Sequence, residues 1–198
     1  MAAVQPVDLA HASRLVNHGP TVLVSTVHEG RRNLMAAAWS MPVEFTPPRI
    51  AVVIDKRTYS CDQIAATGTL ALCIPGRSLA DLTFTVGTTS GRDLPRTGPD
   101  KFAHYGVESV TGPVLGLPLV AGCIAWMECR VLPEPRTQEF YDTFFVEVVS
   151  AQADERVFAN GRWSLREDNR ELHTLHHLGA GLFAVASDPV QGRILQPA

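Results

Sequence analysis

Runs of apolar and β-branched residues alternate with short turn signals along most of the chain. Continuous apolar runs at 21–27, 49–55 and 69–74 predict buried strands, and 143–150 predicts another. The segment 124–132 alternates, with Met127 inward and Glu128 outward, and predicts a half-buried strand. About six strands with a few helices indicate a mainly β fold, a barrel or a sandwich with helical additions.

Helical signals are fewer and shorter. Apolar residues at helical spacing predict a helix over 8–16 that Gly19-Pro20 ends. The segment 59–67 predicts a second helix, with Thr58 or Ser60 as its cap and Gly68 at its end. Short helices are also expected at 78–84 and 172–178. The segment 87–99 predicts an irregular loop, and 133–135 predicts a connection between two strands.

The segment from Asn33 to Ser60 carries the clearest chemistry. After a turn at 28–31, residues 33–43 predict a strand rich in small residues, on which a flat ring can lie close to the backbone. Pro47-Pro48 predicts an extended turn. The next strand ends in the cluster Lys56, Arg57, Thr58 and Ser60, whose charge and hydroxyls suit a phosphate. Ring and phosphate together indicate a nucleotide-like ligand.

Composition excludes several classes of function. With 198 residues, 45% of them hydrophobic and 19% charged, the chain is expected to form one domain over 1–198. A net charge of −3 without a basic run argues against nucleic acid. No apolar stretch reaches about 18 residues, so no membrane span is expected. The first residues lack a signal-peptide pattern, which predicts a cytoplasmic protein.

Cysteines and histidines give no metal signature. Cys61, Cys73, Cys123 and Cys129 form no CxxC pair and are expected to be reduced thiols. His173 and His177 have a ligand-capable spacing on the predicted helix, but no HExxH motif or matching acidic partner accompanies them. A helix face near the ligand or a subunit interface is the favoured interpretation of this histidine group, which includes His176.

Several blocks together resemble the flavin reductase-like family, and within it the flavoredoxin branch. They are Asn33 to Trp39-Ser40, Pro47-Pro48, 56–60 with Ile64, and 87–93 followed by Asp100-Lys101-Phe102. The order and spacing of these weak blocks, over roughly residues 8–186, carry the resemblance. It implies an FMN-binding split β-barrel. The spacer 94–99 is longer than the family pattern and leaves the placement of Arg92 open.

The resemblance also implies a set of cofactor-binding residues. Lys101 and Ser60 match the family's phosphate contacts, and Asn33 and Trp39, expected on one strand face, match its residues near the flavin. Backbone groups of Ala37, Ala38, Ser40 and Met41 would face the flavin. The loop candidates are Ser90, Gly91 and Arg92. The chain has fifteen arginines and two lysines, so Lys56 and Lys101 either face one phosphate or are surface remnants of an arginine-rich composition.

The implied activity is reduction of flavin by NAD(P)H. Neither a nucleophile motif nor a GxGxxG fingerprint is present, so a nicotinamide donor would have to stack transiently on the flavin. The alternatives are a flavoredoxin-type electron carrier with a protein partner and a non-catalytic split barrel that binds FMN or haem. A homodimer with the site at its interface is expected, with 114–126 and Phe144-Phe145 as the surplus apolar surface.

Overall fold

A computed structural model describes residues 4–12 and 19–195. Its strands are β1 (Val4–Pro6), β2 (Val22–His28), β3 (Arg31–Ala37), β4 (Ser40–Phe45), β5 (Pro48–Val53), β6 (Thr69–Ile74), β7 (Ser109–Thr111), β8 (Pro118–Val120), β9 (Ala125–Leu132), β10 (Thr143–Asp154), β11 (Phe158–Ala159), β12 (Arg162–Trp163), β13 (Leu175–Gly179) and β14 (Leu182–Val185). Its α-helices are α1 (Leu9–Ala12), α2 (Tyr59–Thr67), α3 (Ala80–Thr88), α4 (Lys101–His104) and α5 (Pro135–Tyr141). Short 3-10 helices span Arg77–Leu79, Gly91–Asp93 and Glu167–Leu172.

One antiparallel sheet organises the molecule. Its strand order is β3-β2-β6-β9-β10-β5-β4, and β1 pairs with β10. The outermost strands β3 and β4 are consecutive in the chain and are joined by Ala38 and Trp39. Because so short a link spans only about 10 Å, the two outer strands must begin and end close together. The sheet therefore curls into a barrel that is split between β3 and β4, as expected for this fold class.

Both faces of the central strands are buried. In β2, Val22 and Val24 belong to the cluster with Ile50 and Val52, whereas Leu23 packs with Leu34 in a second cluster. The second cluster lies beneath α3, α4 and the 105–123 segment, where Val86 and Phe102 contribute. Covering on both sides explains why these strands are continuous apolar runs rather than alternating ones.

The β2–β3 hairpin follows the sequence prediction. Glu29 and Gly30 form a two-residue turn with positive φ at both positions, 50° and 74°, and His28 pairs with Arg31. Such turns match the twist of the flanking strands, and glycine adopts the second position without strain. This turn brings Arg31, Arg32 and Asn33 back along β2 towards α2 and the 91–100 segment.

The structure corrects several predicted elements. The strand expected over 33–43 is divided into β3 and β4 at Ala38–Trp39, where the chain crosses the split. The helix expected over 78–84 continues to Thr88, so helix occupies the start of the predicted loop at 87–99, and Gly91–Asp93 is a 3-10 turn. The connection at 133–135 leads into the helix α5. The final part of the helix expected over 8–16 lies outside the described residues.

Two further predictions, one near the end of the chain and one in β9, are wrong. Residues 172–178 form the end of a 3-10 helix and the strand β13, which pairs with β14. Glu128 faces inward and is buried, because its carboxylate accepts hydrogen bonds from the backbone of Val114 and Leu115 at 2.9 and 2.8 Å. The loop 112–117 covers the strand face that the alternating pattern had assigned to solvent.

Candidate functional site

The N-terminus of α2 lies beside β3 and forms one wall of a polar depression. Thr58 caps the helix: its hydroxyl accepts from the Cys61 backbone N–H at 3.2 Å and donates to the Asp55 carbonyl at 2.8 Å. The first-turn N–H groups of a helix have no partner within it and attract anions. The two predicted hydroxyls therefore have different roles: Thr58 caps α2, and Ser60 faces β3.

We call this depression the α2 pocket; its volume is about 440 Å³. It brings together seven residues that the sequence had indicated for phosphate or cofactor contact. They are Asn33, Arg57, Thr58, Ser60, Ser90, Gly91 and Lys101. Three separate chain segments, β3, α2 and the 86–101 segment, thus converge as the sequence blocks predicted. Their role in ligand binding remains a prediction.

Asn33 occupies the floor of the α2 pocket. It is 2% exposed, and its Nδ2 donates to Ser60 Oγ at 2.8 Å. Its Oδ1 has no hydrogen-bond partner within the described residues. A Cβ at Gly91 would lie 2.3 Å from this oxygen, so only glycine leaves room for it. A buried acceptor without a donor, inside a pocket, is suited to a ligand hydroxyl.

Lys101 closes the pocket from the opposite side. Its side chain is buried at 3% exposure, and Nζ donates to the carbonyls of Val86 and Thr89 at 2.8 and 2.6 Å. Burial lowers the pKa of this ammonium from 10.5 to about 8. An ammonium has three protons, so one remains for a ligand. Lys101 also holds the end of α3 against the pocket.

The other predicted cations are placed differently. Lys56 does not line the α2 pocket: its Nζ donates to the Glu139 carbonyl at 2.7 Å and lies 3.3 Å from Asp142 Oδ1. Arg92 pairs with Asp62, at 3.1 Å from Nε to Oδ2. The hypothesis that Lys56 and Lys101 face one phosphate is therefore wrong. Lys56 and Arg92 each form an ion pair with a carboxylate that is distant in sequence, Asp142 and Asp62.

Arg57 lines the α2 pocket but is already engaged at its rim. Its guanidinium donates to both oxygens of Asp55, at 2.7 to 3.2 Å. These side-chain hydrogen bonds lower the pKa of Asp55 to about 2. The pair is exposed, so Arg57 remains able to exchange this carboxylate for another anion.

A second depression continues from the first along the split; we call it the split groove. Its volume is about 480 Å³, and it shares Met35 and Asp55 with the α2 pocket. Small residues of β3 and its end form the floor, and aromatic residues form the rim. These are Ala36, Ala37, Ala38, Trp39, Phe140 and Tyr141. A flat group on this floor would lie next to backbone, as the small residues predicted.

The predicted residues around Trp39 do not share one environment. Trp39 is 74% exposed at the rim, whereas Asn33 is buried, because the strand alternation stops where β3 ends. Ser40 Oγ is buried without a hydrogen-bond partner in the described chain. The side chain of Met41 is exposed on β4, outside the residues that line the split groove. The expectation that Asn33 and Trp39 share one strand face is therefore wrong.

Sequence analysis missed several residues of these depressions. Met35 could have been found, since it lies two positions from Asn33 on the same strand. Phe140 and Tyr141 escaped because α5 was not predicted, although Pro135 at its first turn is a helix-start signal. Tyr59, which lines the α2 pocket beside Gly91, was read only as the start of a helix.

The three histidines of the predicted helix, His173, His176 and His177, do not share one helix face. His173 is buried, with Nε2 at 2.9 Å from Asn169 Oδ1 and 3.0 Å from the Arg166 carbonyl. His177 lies on β13, with its ring 5.4 Å from that of Phe183. Their predicted spacing on one helix is wrong. Within residues 4–12 and 19–195, no three His, Cys, Asp or Glu side chains converge in a way that could hold a metal.

The described part of the chain contains no helix that is both long and apolar enough to cross a membrane.

The four cysteines are unpaired in the structure, with Cys73, Cys123 and Cys129 buried and Cys61 half-buried. Burial raises the pKa of the Cys61 thiol.

The curled, split antiparallel sheet, with a polar pocket and a small-residue groove along its opening, defines a split β-barrel of the flavin reductase type. The family model "Flavin reductase like domain" matches residues 14–175. The chain therefore belongs to the flavin reductase-like family, and the resemblance read from its sequence blocks is confirmed.

Individual proteins agree with this assignment. The uncharacterized protein YddH of Escherichia coli (strain K12) is 54% identical over 193 residues, which cover 96% of this chain and 98% of YddH. The FMN-binding domain of a flavin reductases-like enzyme from Shewanella baltica OS155 superposes with a TM-score of 0.90 at 38% identity, covering 97% and 98% of the chains. Flavoredoxin of Desulfovibrio vulgaris (Miyazaki F) shares the fold, with a TM-score of 0.70, 24% identity and coverage of 88% and 90%.

Proposed function

We propose that this protein binds FMN along the split of its barrel and acts as an NAD(P)H-dependent flavin reductase. The observation that carries the proposal is the continuity of the two depressions through Met35 and Asp55. A polar, donor-rich pocket at one end and a small-residue floor at the other suit a ligand with a phosphate and a flat ring. The relative from Shewanella baltica, described as FMN-binding, supports this choice of ligand.

The residues of the α2 pocket fit the phosphate and the sugar-like chain of FMN. Lys101 offers a remaining ammonium proton, and the first-turn N–H groups of α2 offer further donors. Asn33 Oδ1, buried without a donor, would accept from a ribityl hydroxyl. Ser40 Oγ, also buried without a partner, lies at the start of β4 near the split groove. These are polar atoms that the fold alone leaves unsatisfied.

FMN, when bound, supplies a ring that accepts hydride from a nicotinamide and passes the electrons on. The protein's share is positioning. The floor at Ala36–Ala38 admits a ring against the backbone, and Trp39 and Tyr141 line the rim. Hydride transfer to flavin needs no separate acid or base, which agrees with the absence of a nucleophile motif in the sequence.

A flavoredoxin-type electron carrier is the second candidate. Exposed apolar side chains at the split groove favour it, because Trp39, Phe140 and Tyr141 would suit docking of a redox protein. In this case FMN would be reduced by a protein partner rather than by a nicotinamide nucleotide.

We further propose a homodimer that closes the split groove. The surface expected to form it is wrong in part, since Leu117 to Trp126 and Phe144 are largely buried within the chain. One group of exposed apolar residues next to the split groove lies on β4 and α5: Met41, Val43, Phe45, Phe140 and Tyr141. A second copy packed on this face would cover the groove's rim. One domain over residues 1–198 and a cytoplasmic location remain predictions.

Anaerobic reduction of the FMN-loaded protein separates the candidates. A reductase loses its flavin absorbance near ~450 nm within seconds of adding NADH or NADPH, whereas a carrier responds only to dithionite or to a reduced protein partner. Protein that binds no FMN at micromolar concentrations would overturn both proposals.

A further inference from the structure

A third depression lies beyond the α2 pocket, and neither the FMN proposal nor the fold requires it. It is enclosed by the β2–β3 turn, the start of α2 and the segment 91–100, and we call it the hairpin pocket. Its volume is about 750 Å³. It shares Tyr59 and Gly91 with the α2 pocket, so these two residues form the wall between them.

Arg31 gives the hairpin pocket its shape. Its guanidinium donates to three backbone carbonyls, those of Arg96, Gly98 and Leu94, at 3.1, 3.3 and 3.4 Å. The long spacer 94–99, which departs from the family pattern, is thereby fixed to the hairpin. Within the described residues Arg31 has no carboxylate partner, so its charge is not neutralised.

The charges that line this pocket do not cancel. Asp62 is occupied by Arg92, and Asp100 by Arg32, at 2.7 Å. Arg96 is exposed, and no hydrogen bond or ion pair of its side chain is found in the part of the chain that the structure describes. Two guanidinium groups, on Arg31 and Arg96, therefore face the pocket against one carboxylate without a cation, Glu29.

We propose that the hairpin pocket binds the 2′-phosphate of NADPH, so that the donor is NADPH rather than NADH. This rests on the proposed function. The split groove, the α2 pocket and the hairpin pocket adjoin in that order through shared residues. In the proposed pose the nicotinamide stacks on the flavin ring and the dinucleotide runs extended along FMN, which brings its adenosine end to the hairpin pocket. Guanidinium groups match a phosphate monoester in geometry and charge. NADH has only a hydroxyl at that position and leaves the charges of the two arginines without a counter-anion.

Calorimetric titration of the FMN-loaded protein tests this site without catalysis. The probes are adenosine 2′,5′-bisphosphate and 5′-AMP at about 50 mM salt, where charge interactions are weakly screened. The bisphosphate should bind at least tenfold more tightly. Arg96→Gln should remove most of this difference, since it deletes a charge but keeps the carbonyl that Arg31 uses. Glu29→Gln should strengthen binding.

Two controls make the result specific. Arg162→Gln removes another exposed charge, on β12, and should change nothing. Arg96→Gln should raise KM for NADPH about tenfold without changing kcat. The affinity for FMN, and both KM and kcat for NADH, should stay unchanged.

Equal binding of the two probes, or bisphosphate binding that survives Arg96→Gln, would overturn the proposal. Loss of FMN in Arg96→Gln would also overturn it, because the pocket would then belong to the FMN site. If neither nicotinamide reduces the protein, the proposed reductase fails. The calorimetry still tests the hairpin pocket in that case. Bisphosphate binding that Arg96→Gln abolishes would support a nucleotide phosphate site, and the absence of bisphosphate binding to the wild type would refute it.

Discussion

Gly91→Ala is the substitution that probes the α2 pocket most directly. A Cβ at this position would lie 2.3 Å from Asn33 Oδ1 and 2.8 Å from Tyr59 Cδ1. The backbone of Gly91 does not have a positive φ, so alanine adds steric conflict without backbone strain. Because Asn33 is buried, it must move to relieve the contact.

The cost follows from the contacts that are lost. Overpacking of this kind destabilises by about 1–3 kcal/mol. Movement of Asn33 also breaks its 2.8 Å hydrogen bond to Ser60, and a buried polar group left unpaired costs about 1–3 kcal/mol. We therefore expect Gly91→Ala to lower the free energy of unfolding by about 2–6 kcal/mol. FMN affinity should fall by about tenfold or more, since the displaced carboxamide enters the pocket.

Urea unfolding, followed by tryptophan fluorescence, measures the first effect, and flavin fluorescence titration the second. Gly98→Ala is the matched control, because its nearest contact would be 3.3 Å, to Pro95 Cβ, which crowds far less than the 2.3 Å contact at Gly91. Asn33→Ala in the Gly91→Ala background should restore most of the loss caused by the added methyl. Strictly additive effects, or a Gly91→Ala protein as stable as Gly98→Ala, would refute the packing described for Asn33.

Three further predictions concern the phosphate contact, the helix cap and the dimer. Lys101→Met should weaken FMN by about tenfold to a hundredfold, and wild-type affinity should fall as the pH rises through 8. Burial of the charged Lys101 ammonium costs stability at pH values below 8. Since the folded chain releases the Lys101 proton at lower pH than the unfolded chain, this cost should disappear between pH 8 and 10.5. The urea midpoint of the wild type should therefore rise over this range, and that of Lys101→Met should not. Thr58→Ala should lose about 1 kcal/mol of unfolding free energy with the cap, measurable by urea denaturation, and an unchanged midpoint would contradict the cap. Light scattering should give about twice the 21.5 kDa chain mass, and Phe45→Glu should give monomers with weaker FMN binding; a wild-type monomer that holds FMN stoichiometrically would contradict the shared site.

Elements governed by local signals could be predicted from the sequence. The bounds of α2 and β6 agree with expectation, because Thr58 caps the helix, Gly68 ends it with φ of 67°, and the strand between two turns is uniformly apolar. The resemblance to the family was likewise readable, since most of its blocks lie on β3, α2, α4 and the 87–93 segment, which meet at the α2 pocket.

Elements set by distant partners could not be predicted. Residues 172–178 were predicted as a helix, but the turn at 179–181 pairs residues 175–179 with β14 as a strand. Glu128 looks solvent-facing in the strand pattern, and only the loop 112–117 buries it.

The same reason explains the errors at the site. Lys56 was expected at a phosphate and Arg92 in the cofactor-binding loop, but each forms an ion pair with a carboxylate far away in the sequence. Asp142, 86 residues away, pairs with Lys56, and Asp62, 30 residues away, pairs with Arg92. Spacing along the chain carries no information about which carboxylate lies nearest in space. Lys101, by contrast, lies in the pocket, because α4 packs on β3 beside Asn33.

The account's central claim is that the α2 pocket binds the phosphate of FMN while the split groove holds its ring. Fluorescence titration of the purified protein with FMN and with riboflavin tests this most directly, because the two ligands differ only in the phosphate. FMN should bind at least tenfold more tightly, and the difference should shrink in Lys101→Met. Equal affinities for FMN and riboflavin would contradict the assignment of the α2 pocket.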